Sequence, residues 1–159
     1  MKKGFFLSII LISCFAIFSG CIKNTPYITT IDPSLTASIG TYNFTAFTVI
    51  PSTLDTQVNH PGTTLIITAN TSDQTSIHDK IVLYIHNYKG ATGTFSFVRQ
   101  EAAAYYYHSG IYSVAFGGTG SSGIISITHI NSNNIVGYFT FTTSDGVYVE
   151  NGTFNVGKP

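Results

Sequence analysis

Apolar and polar residues alternate with a period of two along most of this chain, and that period predicts strands. The pattern is sharpest from Ile135 to Val156. It reads Ile-Val-Gly-Tyr-Phe-Thr-Phe-Thr-Thr, then Ser-Asp-Gly, then Val-Tyr-Val-Glu-Asn-Gly-Thr-Phe-Asn-Val. Asp-Gly between two alternating runs is the strongest short-range signal for a hairpin. With Asp145 and Gly146 as the two central turn residues, Ser144 faces Val147 and the register follows. Phe139 then faces Gly152, Gly137 faces Phe154, and Ile135 faces Val156. Each glycine lies opposite a phenylalanine ring that can cover it. One face carries Ile135, Phe139, Phe141, Phe154 and Val156; the other carries Tyr138, Thr140, Thr142, Asn151, Thr153 and Asn155. An apolar face backed by a polar one predicts a half-buried antiparallel sheet. Glu150 is the one dissenter. It falls on the apolar face and is expected to reach water at the sheet margin.

The same reading runs through the rest of the chain. Leu35 to Ile39 predicts a first strand, and Phe44 to Ile50 a second, ended by Pro51-Ser52. Asp55 to Thr63, with His60-Pro61-Gly62, predicts a loop. Thr64 to Asn70 and Lys80 to His86 predict strands, separated by a polar loop or short helical turn from Thr71 to Asp79. Thr92 to Val98 predicts another, with Phe95 and Phe97 on one face. Arg99 to Ala103 predicts a helical turn. Tyr105 to Phe116 predicts one or two strands broken near Ser109-Gly110, and Gly117 to Gly123 a Gly/Ser loop. Gly123 to Ile130 is the next strand, and a turn from Asn131 to Asn134 leads into the hairpin. No segment of useful length has the helical period. Short strands with turns between them predict an all-β fold, a single antiparallel β-sandwich or barrel.

Composition narrows the partners. The chain has 159 residues, room for one domain with a real core. Charged residues are 9% of it, against roughly 25% in ordinary soluble domains. The surface is therefore dressed in Thr, Ser, Asn and Tyr. Net charge is zero. Phosphate contacts need clustered Lys and Arg, and their absence from the sequence excludes that mode of nucleic-acid binding.

The N-terminus carries a different signal. Met1-Lys2-Lys3 is positive, Phe5 to Phe18 is apolar but short for a bilayer span, and Ser19-Gly20 are small. Together they predict a secretory signal peptide. Phe18-Ser19-Gly20-Cys21 resembles the lipobox of bacterial lipoproteins, with Phe18 where Leu is usual. The resemblance implies cleavage before Cys21 and acylation of that cysteine, which would hold the protein on membrane lipid. On this reading residues 1–20 are a lipoprotein signal peptide, 21–33 a tether with two prolines, and 34–159 the antiparallel β domain. Cys14 leaves with the signal and Cys21 is capped, so the domain relies on its core and not on disulfides. Cys21-Ile22-Lys23-Asn24 lacks the acidic cluster linked to surface export in related lipoproteins. That implies the cell envelope, at the periplasmic face of the outer membrane.

Two regions resemble a known family. They are Thr36-Ala37-Ser38-Ile39-Gly40 with Phe44-Thr45-Ala46, and Ile135-Val136-Gly137-Tyr138-Phe139 through Glu150-Asn151-Gly152-Thr153-Phe154. They look like the two ends of a family of small uncharacterised Bacteroidota lipoproteins, which typically carries tryptophan where this chain has Phe44. The resemblance implies an exported β-rich domain and assigns no activity.

Candidate chemistry is sparse. His60, His78, His86, His108 and His129 show no metal-ligand spacing. The acidic residues Asp32, Asp55, Asp73, Asp79, Glu101, Asp145 and Glu150 show no paired pattern. Gly118-Thr119-Gly120-Ser121-Ser122-Gly123 fits neither a nucleophile elbow nor a phosphate cradle. No catalytic residue, metal or cofactor is expected. Tyr105-Tyr106-Tyr107 is the best candidate surface: Tyr105 and Tyr107 face one way, and Tyr112 joins them. Exposed tyrosines offer flat contact area to a glycan or a protein partner, the competing reading being core packing with hydroxyls at the rim. The sequence therefore predicts a membrane-anchored envelope lipoprotein, a non-enzymatic binding or structural module. The alternative is a hydrolase whose carboxylates or histidines converge from separate loops.

Overall fold

A computed structural model describes residues 32–56, 62–71, 79–108, 111–115 and 121–159. The expected signal peptide, Cys21 and nearly all of the tether lie outside the described residues. So do most of the expected loops at 55–63, 71–79 and 117–123, and the break at 109–110.

Among the described residues the chain forms eleven strands and no helix. They are β1 (Ser34–Ile39), β2 (Tyr42–Thr45), β3 (Thr48–Thr56), β4 (Gly62–Asn70), β5 (Lys80–Ile85), β6 (Gly93–Ser96), β7 (Ala102–His108), β8 (Ile111–Ala115), β9 (Ser122–Ile130), β10 (Asn134–Thr142) and β11 (Tyr148–Gly157). One sheet runs β2-β1-β11-β10-β9-β6 and the other β3-β4-β5-β7-β8. The strand pairs are antiparallel. The protein is an all-β sandwich; the two separate sheets decide between the sandwich and the barrel that the sequence left open.

Alternation builds the core. From the six-stranded sheet come Leu35, Ala37, Phe44, Ile125, Ile127, Ile135, Phe139, Phe141, Val149, Phe154 and Val156. From the five-stranded sheet come Val49, Leu65, Ile67, Ala69, Ile81, Leu83, Ile85, Ala102, Ala104, Tyr106 and Ala115. The Phe139 ring stacks on Phe141 at 6.1 Å and on Phe154 at 6.5 Å. Gly152 and Gly137 sit beneath these rings. A Cβ at Gly152 would stand 2.5 Å from the Phe139 ring, and one at Gly137 would meet the Phe154 ring and the Ser126 carbonyl oxygen. The pairs Phe139–Gly152, Gly137–Phe154 and Ile135–Val156 are those the hairpin register predicts.

The turn and Glu150 differ from expectation, in a linked way. The Thr143 N–H donates to the Val147 carbonyl at 2.9 Å, and the Gly146 N–H to the Thr143 carbonyl at 3.0 Å. Thr143 therefore faces Val147, and the loop has three residues, Ser144 to Gly146, with Gly146 at φ +87°. Three-residue hairpin loops use a left-handed residue at this position. Alone, that loop would set Asn151 and Thr153 towards the core. A β-bulge corrects it. Phe141 pairs with Val149 while Phe139 pairs with Gly152, so Glu150 and Asn151 both lie opposite Thr140. Val149, not Glu150, takes the core position, and Glu150 joins the outer face.

Other boundaries move for local reasons. The expected strand from Phe44 to Ile50 is two strands in two sheets. The chain crosses at Ala46-Phe47, where Ala46 N–H donates to Leu35 O at 2.9 Å and Phe47 N–H to Asn70 O at 2.8 Å. Pro51 does not end β3, because β3 is an edge strand and its missing N–H disturbs no ladder there. The strand then runs to Thr56, into the expected loop. β6 stops at Ser96, short of Val98, yet Phe97 is still buried. Arg99 to Ala103 is not helical. Gln100, at φ +58°, donates its N–H to Phe97 O, and Ala102 and Ala103 already belong to β7. The Glu101 carboxylate closes this turn by accepting the Ser96 N–H at 2.9 Å and pairing with Arg99. At the other end of the expected Gly117–Gly123 loop, Ser122 and Gly123 belong to β9.

Phe139→Ala and Phe154→Ala should each cost about 3–5 kcal/mol in a denaturant series, through lost burial and a residual cavity. Gly137→Ala should cost at least about 1–3 kcal/mol, and more than Gly152→Ala, because a ring can tilt but the Ser126 carbonyl cannot leave its ladder. Thr153→Ala, on the exposed face, should stay within about 0.5 kcal/mol. Equal costs at Thr153 and Phe154 would refute the face assignment.

Candidate functional site

The bulge makes the site. Ordinary alternation sends Glu150 and Asn151 to opposite faces. At the bulge both reach the outer face of the six-stranded sheet, where they line an open groove of about 470 Å³. Its other lining residues are Tyr138, Phe139, Thr140, Tyr148, Gly152 and Thr153. Asn151 adopts φ +52°, a left-handed conformation that asparagine tolerates better than most residues. The Thr140 hydroxyl donates to the Val149 carbonyl at 2.9 Å, satisfying an acceptor where the ladder is interrupted.

Two tyrosines flank the bulge. Tyr138 is 44% exposed and Tyr148 is 52% exposed. Tyr148 pairs with Thr142, four residues along β10 from Tyr138, so the backbone positions of the two tyrosines are offset by about 14 Å along the strands. Glu150, Asn151 and Thr140 occupy the interval. Beside them a row of hydroxyls crosses all six strands in register: Thr45, Thr36, Thr153, Tyr138, Ser126 and Thr94. Thr36 and Thr153 share a hydrogen bond of 3.0 Å, as do Thr94 and Ser126. The groove thus offers flat aromatic surface at two points, with a carboxylate, an amide and hydroxyls between. None of its lining residues is basic. Ligand sites commonly combine apolar lining with a few convergent polar groups in this size range.

The tyrosines that the sequence singles out lie on the other sheet. Tyr106 points into the core, where burial pushes its hydroxyl up to about 12, with Asp79 and Tyr42 adding to the shift. Tyr105 and Tyr107 are half-buried on the opposite side of β7. Tyr105 packs edge-on against Tyr84, with centroids 5.3 Å apart, and this burial raises its pKa. Tyr107 pairs with Tyr112 across β7 and β8, and the Tyr112 side chain lies outside the described residues. Tyr105 and Tyr107 thus belong to a half-buried sheet face that also carries the exposed Ile50 and Leu54 of β3. Cys21, the expected lipid-attachment residue, lies outside the described residues.

The expected hydrolase chemistry has its nearest approach at one end of the sandwich. His108 Nδ1 lies 2.6 Å from the Asp79 carboxylate, and the His108 ring stacks on Tyr106. Tyr42, from the edge of the six-stranded sheet, also hydrogen-bonds Asp79, and its hydroxyl is pushed up by partial burial and by that carboxylate. Asp79 ties its own backbone N–H to the Thr71 hydroxyl at 3.1 Å. The cluster fastens β2, β5 and β7. Among the described residues no group of three or more His, Cys, Asp or Glu could hold a metal.

Sequence reasoning placed Tyr138 and Asn151 on the outer face but gave them no role, and it put Glu150 on the apolar face, reaching water at the sheet margin. The available signal was the polar pair Glu150-Asn151, which breaks an otherwise strict alternation. Two consecutive polar residues inside such a run mark a bulge.

The bulge predicts a specific substitution pattern. Asn151→Val should destabilise by about 1–2 kcal/mol, the cost of a left-handed backbone for a β-branched residue. Asn151→Gly should be neutral or slightly stabilising. Thermal melts of the two variants check this; equal effects would mean that the bulge is not held in solution. No protein-family model, curated protein or solved structure matches this chain, so the function of the groove rests on its own chemistry.

Proposed function

We propose that the chain is a membrane-anchored lipoprotein of the bacterial envelope whose β-sandwich is a non-catalytic binding module. The groove between Tyr138 and Tyr148 is its ligand site. One observation carries the reading: a bulge in a central hairpin turns a carboxylate and an amide outward between two exposed aromatic rings. Bulges recur where a side chain must be re-aimed, and solvent-exposed tyrosines recur at recognition surfaces. The site stands on β10 and β11, the two central strands of their sheet, which suits a preformed surface.

The anchor is supported by the lipobox-like Phe18-Ser19-Gly20-Cys21 behind a short apolar run, and by the resemblance to envelope lipoproteins. Acyl chains contribute about 0.8 kcal/mol per buried CH₂, so more than one chain gives stable attachment. Residues 21–33 then act as a tether. The lack of an acidic cluster after Cys21 favours the periplasmic face of the outer membrane.

An enzymatic reading has one observation in its favour, the 2.6 Å contact between Asp79 and His108. That carboxylate also accepts from Tyr42, and His108 is stacked on Tyr106, which suits a structural clasp better than a mobile general base.

Detergent phase partitioning tests the anchor. The wild type should enter the detergent phase and Cys21→Ser the aqueous phase; identical aqueous partitioning of both would refute lipidation. Ligand-observed NMR with the full-length chain in micelles tests the module. The probes are neutral hexasaccharides, oligogalacturonate, an extended peptide and choline. At least one should bind saturably, with binding clearly weakened in Tyr138→Ala and retained in Tyr105→Ala. No binding to any probe, or loss in Tyr105→Ala alone, refutes the groove as the site.

A further inference from the structure

Accepting the groove as the ligand site, we infer that its ligand is a neutral oligosaccharide, bound lengthwise along β10 and β11.

The spacing of the tyrosines comes first. The backbone positions of Tyr138 and Tyr148 are offset by about 14 Å along the strands, and both side chains line one groove, so the groove is long in the strand direction. The two tyrosines suit an extended ligand with a flat apolar face at each end. A pyranose chain has such faces, formed by its axial C–H groups, which pack on aromatic rings. Between the rings lie Glu150, Asn151 and Thr140. A carboxylate accepts hydrogen bonds from hydroxyls through two oxygens, while the asparagine amide both donates and accepts. Vicinal hydroxyls need that mixture. The hydroxyl row through Thr153 and Thr36 extends the same chemistry sideways across the sheet.

Charge selects among sugars. The groove is lined by one carboxylate and no basic residue. Uronates, sulfated sugars and phosphorylated glycans would meet Glu150 with like charge and find no cation to offset it. A neutral chain meets no such repulsion.

Backbone pairing argues against a peptide. Extended peptides commonly bind by adding a strand to an exposed sheet edge, where main-chain groups are free. β10 and β11 are paired on both sides, β10 with β9 and β11, and β11 with β10 and β1. The groove offers a peptide side chains only, leaving most of its main-chain groups without a regular ladder.

The test uses the full-length chain in micelles with cello-, xylo-, manno- and maltohexaose as neutral probes. Oligogalacturonate, an extended peptide and choline serve as competitors of other chemistry. At least one neutral hexasaccharide should bind more tightly than oligogalacturonate. Tyr138→Ala and Tyr148→Ala should each weaken it on the order of tenfold, the usual scale for truncating an aromatic anchor. Tyr138→Phe should keep most of the affinity, because stacking and not the hydroxyl is the contact. Glu150→Gln should narrow the preference for neutral over acidic chains. Both tyrosines are exposed, and a thermal melt of each variant separates lost binding from lost fold. Binding of the peptide, choline or oligogalacturonate at the groove, with no neutral sugar bound, overturns this inference and leaves the binding-module reading intact. Silence from every probe overturns both.

Discussion

Two phenylalanines seated on two glycines hold this sandwich in register. Phe139 covers Gly152 and Phe154 covers Gly137 across one pair of central strands. The fit is tight enough that a single methyl group on either glycine would strike a ring. A slip of one residue would send the rings of one strand to the solvent face and leave the glycines bare, so this pairing decides the alignment of β10 and β11. The hairpin turn then has to comply. Its three-residue loop is one residue out of step with the interlock, and the chain absorbs the mismatch as a bulge at Glu150-Asn151. The groove on the outer face is thus a by-product of reconciling a loop with a core.

How much of this the sequence discloses depends on the kind of constraint. The interlock was legible because it is local and periodic: glycine opposite phenylalanine repeats at Gly137 and Gly152 within one hairpin. Its register is correct even though the turn was read as two residues, since the missed loop residue and the missed bulge residue cancel beyond Asn151. The end nearer the turn shows what the cancellation hid. There Val149 and not Glu150 faces Phe141. Sheet exchange at Ala46-Phe47 left only a faint mark, two adjacent apolar residues where the buried positions pass from Phe44 to Val49, and only distant partners reveal that the chain changes sheets there. Pro51 misled for the same reason. Whether a proline breaks a strand depends on whether that strand is an edge, which is a property of the whole topology. For the candidate site, a run of three tyrosines drew attention to Tyr105 and Tyr107. The groove's own tyrosines, Tyr138 and Tyr148, are separated by a turn and meet only through pairing.

The two outer faces of the sandwich differ in character. The six-stranded sheet turns hydroxyls outward in register, from Thr45 at one edge to Thr94 at the other. The five-stranded sheet turns Ile50, Leu54, Tyr84 and Tyr105 outward, with Thr68 among them. A chain with only 9% charged residues must solvate its surface with neutral groups, and it does so unevenly. Threonine serves both demands on a strand, since its branched Cβ favours the extended backbone and its hydroxyl faces water. The wet face is therefore ordered by the same residues that stabilise the strands. Neutral hydrogen-bonding groups on a fixed lattice are a surface suited to hydroxyl-rich ligands and poorly suited to ionic ones.

Rigidity links the core to that surface. The strands beneath the groove carry Phe139, Phe141, Val149 and Phe154 on their inner side, all buried and mutually stacked or packed. Ser113 of β8, in the opposite sheet, donates to Asp145 at the hairpin tip at 2.7 Å. The Thr143 hydroxyl, and after it that bond from Ser113, hold the Asp145 carboxyl below the usual carboxylate range. The hairpin is thus held along its length by aromatic packing and at its tip by a hydrogen bond to the other sheet. Side chains on its outer face project from a backbone that has little freedom to adjust. Binding to such a surface loses little conformational entropy in the protein, so even weak stacking and hydroxyl contacts can contribute to net affinity. A shallow open groove needs that economy, because it has too little depth to enclose a ligand and must rely on geometry fixed in advance.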